Sequence, residues 1–228
     1  MFARKNKKRR CAELTDPAIF IPEKEPVSVF MAGSPGAGKT ETSKELIATL
    51  EAKQPGSKIL RIDADDMRCE FPGYNGENSW LFQGAVSIWV ARILDTAHDQ
   101  KQSFLLDGTL SNHDRARKNV QRCLKHGRTV QILYVYLDPI QAWQFVQARE
   151  SIEGRHIPPA KFIGQYFAAR QVVNALKEEF GASIKVDLLF KPNDNTEKLY
   201  RAGIDKIDYH VPEKYDPETL AKTLNPRS

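Results

Sequence analysis

The sequence predicts an α/β fold in three layers, with a mainly parallel central sheet and helices on both faces. Two observations lead there. From Val27 onward short apolar runs alternate with longer stretches of helical period, and a glycine-rich segment sits between the first such run and the first such stretch. Strands joined through helices pair in parallel and open their ligand sites at the carboxyl ends of the strands.

The first strand is Val27-Ser28-Val29-Phe30-Met31, an apolar run of strand length that is too short for a helix. A helix over 39–53 follows the glycines. Lys58-Ile59-Leu60-Arg61-Ile62 forms the second strand, and helical spacing returns over 79–98. Ser103-Phe104-Leu105-Leu106 is the third strand, with its helix over 111–126. The run from Val130 to Leu137 is the fourth, followed by a helix over 139–150. In the next helix, 159–180, Phe162, Tyr166, Val173, Leu176 and Phe180 recur at spacings of three, four and seven. Ile184 to Phe190 is the fifth strand, and 205–211 and 215–224 are expected to add one more strand and helix. No internal repeat interrupts this order.

A chain of 228 residues suits one domain. Residues 1–25 read as a basic N-terminal tail, partly ordered, and 26–228 as a single domain. The formal charge is +5, yet Arg4, Lys5, Lys7, Lys8, Arg9 and Arg10 all fall in the first ten residues, and setting those six aside leaves −1. A near-neutral body argues against an extended basic face as the main working surface, so nucleic acid is expected only through the tail. Cys11, Cys69 and Cys123 form no Cys-x-x-Cys pair, which argues for reduced, cytoplasmic cysteines rather than a disulfide framework or zinc site. No apolar run approaches the roughly 20 residues of a membrane helix, and the basic start runs into Ala12-Glu13-Leu14-Thr15-Asp16 rather than an apolar signal core. A soluble protein with no membrane partner is expected.

The glycine-rich segment, Gly33-Ser34-Pro35-Gly36-Ala37-Gly38-Lys39-Thr40, matches G-x-x-x-x-G-K-[ST] and stands between a strand and a helix. That context is what phosphate binding requires. Small residues let backbone N–H groups wrap phosphate oxygens, and the helix N-terminus adds partial positive charge. Lys39 is expected to reach the β and γ phosphates of ATP, and Thr40 to hold Mg²⁺ through its hydroxyl. The fold class is thus a P-loop NTPase or kinase fold. A guanine-reading Asn-Lys-x-Asp is absent, and a small-molecule kinase is the economical reading.

Such an enzyme needs a base, a metal site and cations for the moving phosphoryl group. The second strand runs out into Ile62-Asp63-Ala64-Asp65-Asp66-Met67-Arg68. If the strand continues, Asp63 and Asp65 share one face, one for the metal and one for the acceptor hydroxyl; the competing reading makes Asp65 or Asp66 a helix cap. The third strand closes on Asp107-Gly108-Thr109, either a second metal or water-holding carboxylate or an ordinary Asp-Gly turn. Arg149 and Arg155, the latter in a Gly154-to-Pro159 loop able to close over ATP, offer planar forks for phosphate. Phe71, Tyr74, Glu77 and Trp80 are candidates for an acceptor pocket, although Trp80, Trp89 and Trp143 read better as core anchors.

Together, the loop from Gly33 to Thr40, Ile62-Asp63-Ala64-Asp65, Asp107-Gly108-Thr109 and Arg155-His156-Ile157-Pro158 resemble the zeta toxin family of toxin–antitoxin kinases over roughly residues 26–190. The resemblance implies transfer of the ATP γ-phosphate to a sugar hydroxyl of UDP-N-acetylglucosamine or a related UDP-amino sugar, with a protein antitoxin as a possible partner. By position, Asp65 matches the catalytic base, Lys39 the loop lysine, Thr109 the threonine after the acid-Gly pair and Arg155 the lid arginine. Arg149 corresponds to the helix arginine with an offset of one residue. Two departures fall on the acceptor side: Asp107 stands where the family usually has Glu, and Leu110-Ser111-Asn112 where an Arg is frequent. Two other readings stay open: a P-loop kinase with another acceptor, such as a nucleoside, dinucleotide, polynucleotide end or antibiotic, and a non-enzymatic, nucleotide-controlled binding module.

Overall fold

The structure, a computed structural model, describes residues 2–54, 56–192 and 198–224. Helix α1 (Phe2–Leu14) precedes strand β1 (Val27–Ala32) and helix α2 (Lys39–Lys53); then come β2 (Leu60–Asp63), the short α3 (Ala64–Arg68), α4 (Gln83–Asp99) and β3 (Phe104–Asp107). The second half runs α5 (His113–Lys125), β4 (Thr129–Tyr136), α6 (Pro139–Glu153), α7 (Pro159–Phe180), β5 (Ile184–Phe190), β6 (Leu199–Arg201) and α8 (Pro217–Leu224).

The sheet order is β2-β3-β1-β4-β5-β6, parallel throughout except for the antiparallel β6 at its edge. Strand β1 lies between β3 and β4, so Val29, Phe30, Met31 and Ala32 are covered on both faces, as the uninterrupted apolar run implies. Phe30 meets Phe104 edge to face at 6.0 Å across the β1–β3 pair, and on the other flank Trp143 of α6 packs on Phe162 of α7 at 5.1 Å. The register has a direct consequence for the site. Asp63 and Asp107 are paired positions at the carboxyl ends of β2 and β3, beside the loop that leaves β1.

The expected three-layer α/β fold is the one observed, with differences in detail. The basic N-terminal segment carries α1, which docks on α4: the Trp89 indole Nε1 donates to the Ala3 carbonyl at 2.9 Å, and Cys11 Sγ lies 3.1 Å from Thr96 Oγ1. Residues 205–211 hold no strand. A 3₁₀ turn at Ile207–Tyr209 is set there by Asn174, which accepts from the Ile207 amide at 2.9 Å and donates to Asp208 at 2.6 Å. The sixth strand is Leu199–Arg201, whose residues are all exposed and carry no apolar run to reveal it. Trp80 is not a core anchor either; it is 68% exposed, whereas Trp89 and Trp143 are buried.

Candidate active site

The phosphate-loop candidate has the backbone its sequence requires. Gly33 has φ 132°, and a Cβ there would lie 2.3 Å from the Val135 carbonyl oxygen. Gly36 has φ 75°, and its Cβ would lie 2.1 Å from the Ala142 carbonyl. Neither position tolerates a side chain. The Gly33 amide donates to the Thr109 carbonyl at 3.2 Å, tying the loop to the end of β3. Gly38 caps α2 in the left-handed region, and Lys39 opens the helix. Its Nζ is buried and donates to the Ser34 carbonyl at 2.6 Å. Burial pulls the Lys39 pKa down to about 8, against the opposing pull of Asp107 and Asp65.

Beside the loop, one guanidinium gathers the carboxylates. Arg61 of β2 donates through Nη2 to Asp63 and, at 2.8 Å, to Asp107 Oδ2; its Nη1 reaches Asp66 at 2.6 Å and its Nε reaches Ser43 Oγ at 3.2 Å. Ser43 Oγ in turn lies 2.8 Å from Asp107 Oδ2 and 2.9 Å from the Thr40 carbonyl, so its single proton serves one of the two at a time. Asp63 Oδ1 accepts from the Asp65 amide at 2.7 Å and so caps α3. Burial pushes the Asp63 pKa up to about 6, with the neighbouring Asp65 and Asp107 charges adding to the effect.

Strand β2 ends at Asp63, so Asp65 is carried on the first turn of α3 rather than on an extended strand, and the cap is Asp63 rather than Asp65 or Asp66. Asp65 faces two arginines: Arg68 Nη1 is 2.5 Å from Oδ1, and Arg155 Nη1 bonds Oδ2. Burial disfavours its charge, but Arg155 and Arg68 outweigh that and hold the pKa below the usual carboxylate range. Arg149 pairs instead with Glu153 one turn on, at 2.7 Å, and is half exposed.

These groups share one cleft of about 1290 Å³. Pro35, Gly36, Ala37, Gly38, Lys39, Thr40, Asp63, Asp65, Asp107, Thr109, Arg149 and Arg155 all line it, while Gly33 and Ser34 do not. Phe71, Tyr74, Glu77 and Trp80 do not: Phe71 packs on Trp89 in the core with ring centroids 4.5 Å apart, and Tyr74 packs on Phe82 at 5.7 Å. The departing segment Leu110-Ser111-Asn112 builds the turn into α5. Leu110 takes a positive φ of 53°, Ser111 Oγ sits 2.8 Å from Thr109 Oγ1, and Asn112 caps the Arg115 amide at 2.9 Å. Arg115 then brings a cation to the cleft from the first turn of α5.

Three further residues escaped the sequence reading. Arg61 had a signal, since it stands two positions before Asp63 and strand alternation puts both on one face. Arg68 lies three residues after Asp65, a helical neighbour. Lys191, whose Nζ donates to the Gly38 carbonyl at 3.0 Å from beyond β5, had none.

The zeta toxin family model matches residues 12–205. The chain belongs to the zeta toxin family. Among solved structures, this zeta toxin chain is similar to one from the PezAT chromosomal toxin–antitoxin system of Streptococcus pneumoniae. That likeness has TM-score 0.62 and 17% identity, over 96% of this chain and 86% of that one. It is also similar to a structure of AvrRxo1-ORF1 with its ORF2 and ATP, with TM-score 0.69 and 16% identity over 98% of this chain and 84% of that one. At such identities the likenesses establish the fold. A search of curated protein sequences returns no match.

Proposed function

We propose that this zeta toxin family chain is an ATP-dependent phosphotransferase that passes the γ-phosphate to a hydroxyl of UDP-N-acetylglucosamine or a related UDP-amino sugar. The observation that carries it is the meeting of a buried loop lysine, Lys39, with the carboxylate of Asp65 in one cleft, where Asp65 is bonded by an arginine from the loop after α6. Loop amides and Lys39 hold the phosphates of ATP. Asp65 accepts the proton of the attacking hydroxyl, and Thr109 and Asp107 border the acceptor. Arg155 and Arg149 neutralise charge on the transferring group.

The oxygen donors of Thr40 and Asp107 suit a hard cation such as Mg²⁺. Both Asp63 oxygens are already engaged, by Arg61 and by the Asp65 amide, so Asp107 is the better assistant to Thr40. Among the described residues no cluster of three or more His, Cys, Asp or Glu is arranged for a metal. Mg²⁺ held there by Thr40 and Asp107 would offset the negative charge of the ATP phosphates.

A second acceptor class has one observation in its favour. Asp107 is a short carboxylate drawn toward Arg61 and Ser43, which leaves more room at the acceptor hydroxyl than a longer side chain would. The PezAT and AvrRxo1 proteins are described with partner proteins, and a protein antitoxin for this chain is part of the proposal. So is a cytoplasmic location, with no helix among the described residues long and apolar enough to cross a membrane. Incubation of the purified chain with Mg-ATP and a panel of UDP-sugars, nucleosides and oligonucleotides, read by mass spectrometry, tests the reading. Gain of one phosphoryl group by a UDP-amino sugar supports it, and phosphorylation of a different class alone replaces it with the second.

A further inference from the structure

Helix α1 is electrostatically at odds with itself. Its first turn holds no acid, yet Arg4 and Lys5 stand there against the helix dipole. Arg4 and Lys8, and likewise Lys5 and Arg9, are like charges four residues apart, an arrangement that destabilises a helix. Arg9 and Arg10 find Glu13, and Arg10 also finds Glu70, but Arg4, Lys5, Lys7 and Lys8 have no acidic partner among the described residues. The helix is held all the same, by Trp89, Cys11 and the edge-to-face contact of Phe2 with Phe71 at 5.6 Å. Ala3 and Cys11 face inward, and Arg4, Lys5, Lys8 and Arg9 face solvent.

Exposed apolar side chains accompany α1. Phe2 is exposed at its start, and Ile19 and Ile21 just after its end. Phe71, which Phe2 touches, also packs on Phe82 at 5.9 Å, and Phe82 closes the 3₁₀ turn that exposes Trp80 and Leu81. Cations alone would suit any polyanion. Exposed Leu, Ile and Trp added to those cations suit a bilayer, where aliphatic groups enter the acyl boundary, indoles sit at the headgroups and cations meet anionic lipid.

We propose that α1, together with the Ser79–Phe82 turn and residues 19–21, forms a peripheral docking surface for an anionic lipid bilayer. The cations of α1 meet the headgroups, and Trp80, Leu81 and the two isoleucines enter the boundary. Trp80, Leu81 and the cations of α1 do not line the cleft, although the turn runs into Gln83, which does; the proposal stands whether or not the phosphotransferase reading does.

The test is co-sedimentation of the full chain with vesicles of phosphatidylcholine alone or mixed with phosphatidylglycerol. Binding to the mixed vesicles only, weakening with salt and accompanied by a blue shift of Trp80 fluorescence, is expected; Trp89 and Trp143 are buried and contribute little change. Replacing Arg4, Lys5, Lys8 and Arg9 by Gln, a residue that keeps helix propensity, should weaken binding on the order of 100-fold. Trp80→Ser with Leu81→Ser should weaken it further and abolish the blue shift. Unaltered ATP binding in both variants shows that they are folded. Equal binding to both vesicle types, no binding to either, or capture of duplex or single-stranded nucleic acid in preference to vesicles would overturn the proposal.

Discussion

Arg155, in the loop between α6 and α7, reaches the carboxylate of Asp65 on the first turn of α3 and bonds its Oδ2. The contact joins residues 90 apart in sequence and closes one side of the cleft. It lowers the pKa of Asp65, as the proposed role of base asks. It also occupies the oxygen, so in the proposed mechanism Arg155 turns toward the phosphates of ATP while Arg68 keeps its hold on Oδ1.

Asp65→Asn preserves size and removes basicity. Transfer is expected to fall by roughly 10²–10⁴, the usual worth of a general base, while ATP affinity measured by calorimetry stays near that of the parent. Near-normal transfer in this variant would remove Asp65 from the mechanism.

For Arg155→Ala the proposed mechanism expects a loss on the order of 10³ in kcat, since a cation assigned to the moving phosphoryl group goes with it. Lys restores charge but not the planar fork, so Arg155→Lys should recover only part of the rate. Steady-state kinetics with saturating ATP separates this from a binding defect.

Gly36→Ala forces a Cβ to within 2.1 Å of the Ala142 carbonyl at a φ of 75°. Backbone strain of about 1–3 kcal/mol is expected, with the loop displaced from α6. A thermal melt should show a drop of several degrees, and nucleotide titration should show binding lost; an unchanged melt with full ATP affinity would contradict the loop geometry.

His98, near the end of α4, is buried against His126, 4.9 Å away in a stacked arrangement. Burial, then the nearby Arg128 and Arg122, pushes its pKa down to about 3. The folded pKa lies below the unfolded value near 6.5, so protons bind the unfolded chain preferentially between the two. The contribution of His98 to stability is complete above pH ~6.5 and is lost as pH falls toward about 3. Urea unfolding at pH 7 and pH 5 should show this loss, and His98→Phe should flatten it.

Much of this arrangement was legible in the sequence because its signals are local. The loop from Gly33 to Thr40 needs its glycines for backbone reasons, and the five parallel strands are buried on both faces and read as apolar runs. What escaped depends on tertiary packing. Leu199–Arg201 is a strand only because the edge of β5 offers it hydrogen-bonding groups. Helix α1 is ordered because Trp89 and Thr96 receive it, against its own charge pattern. Lys191 enters the site from the far side of β4, where no spacing rule connects it to Gly38. The capping of α3 by Asp63 turned an expected strand extension into a helix, which moved Asp65 off the strand and toward Arg155.

The central claim is that this cleft moves phosphate from ATP to a sugar hydroxyl. Incubating the purified chain with γ-labelled ATP, Mg²⁺ and UDP-N-acetylglucosamine measures it most directly. The account predicts label in the UDP-sugar, formed by the parent chain and not by Lys39→Ala or Asp65→Asn. Label released only as inorganic phosphate, with every hydroxylic acceptor in the panel untouched, would contradict it.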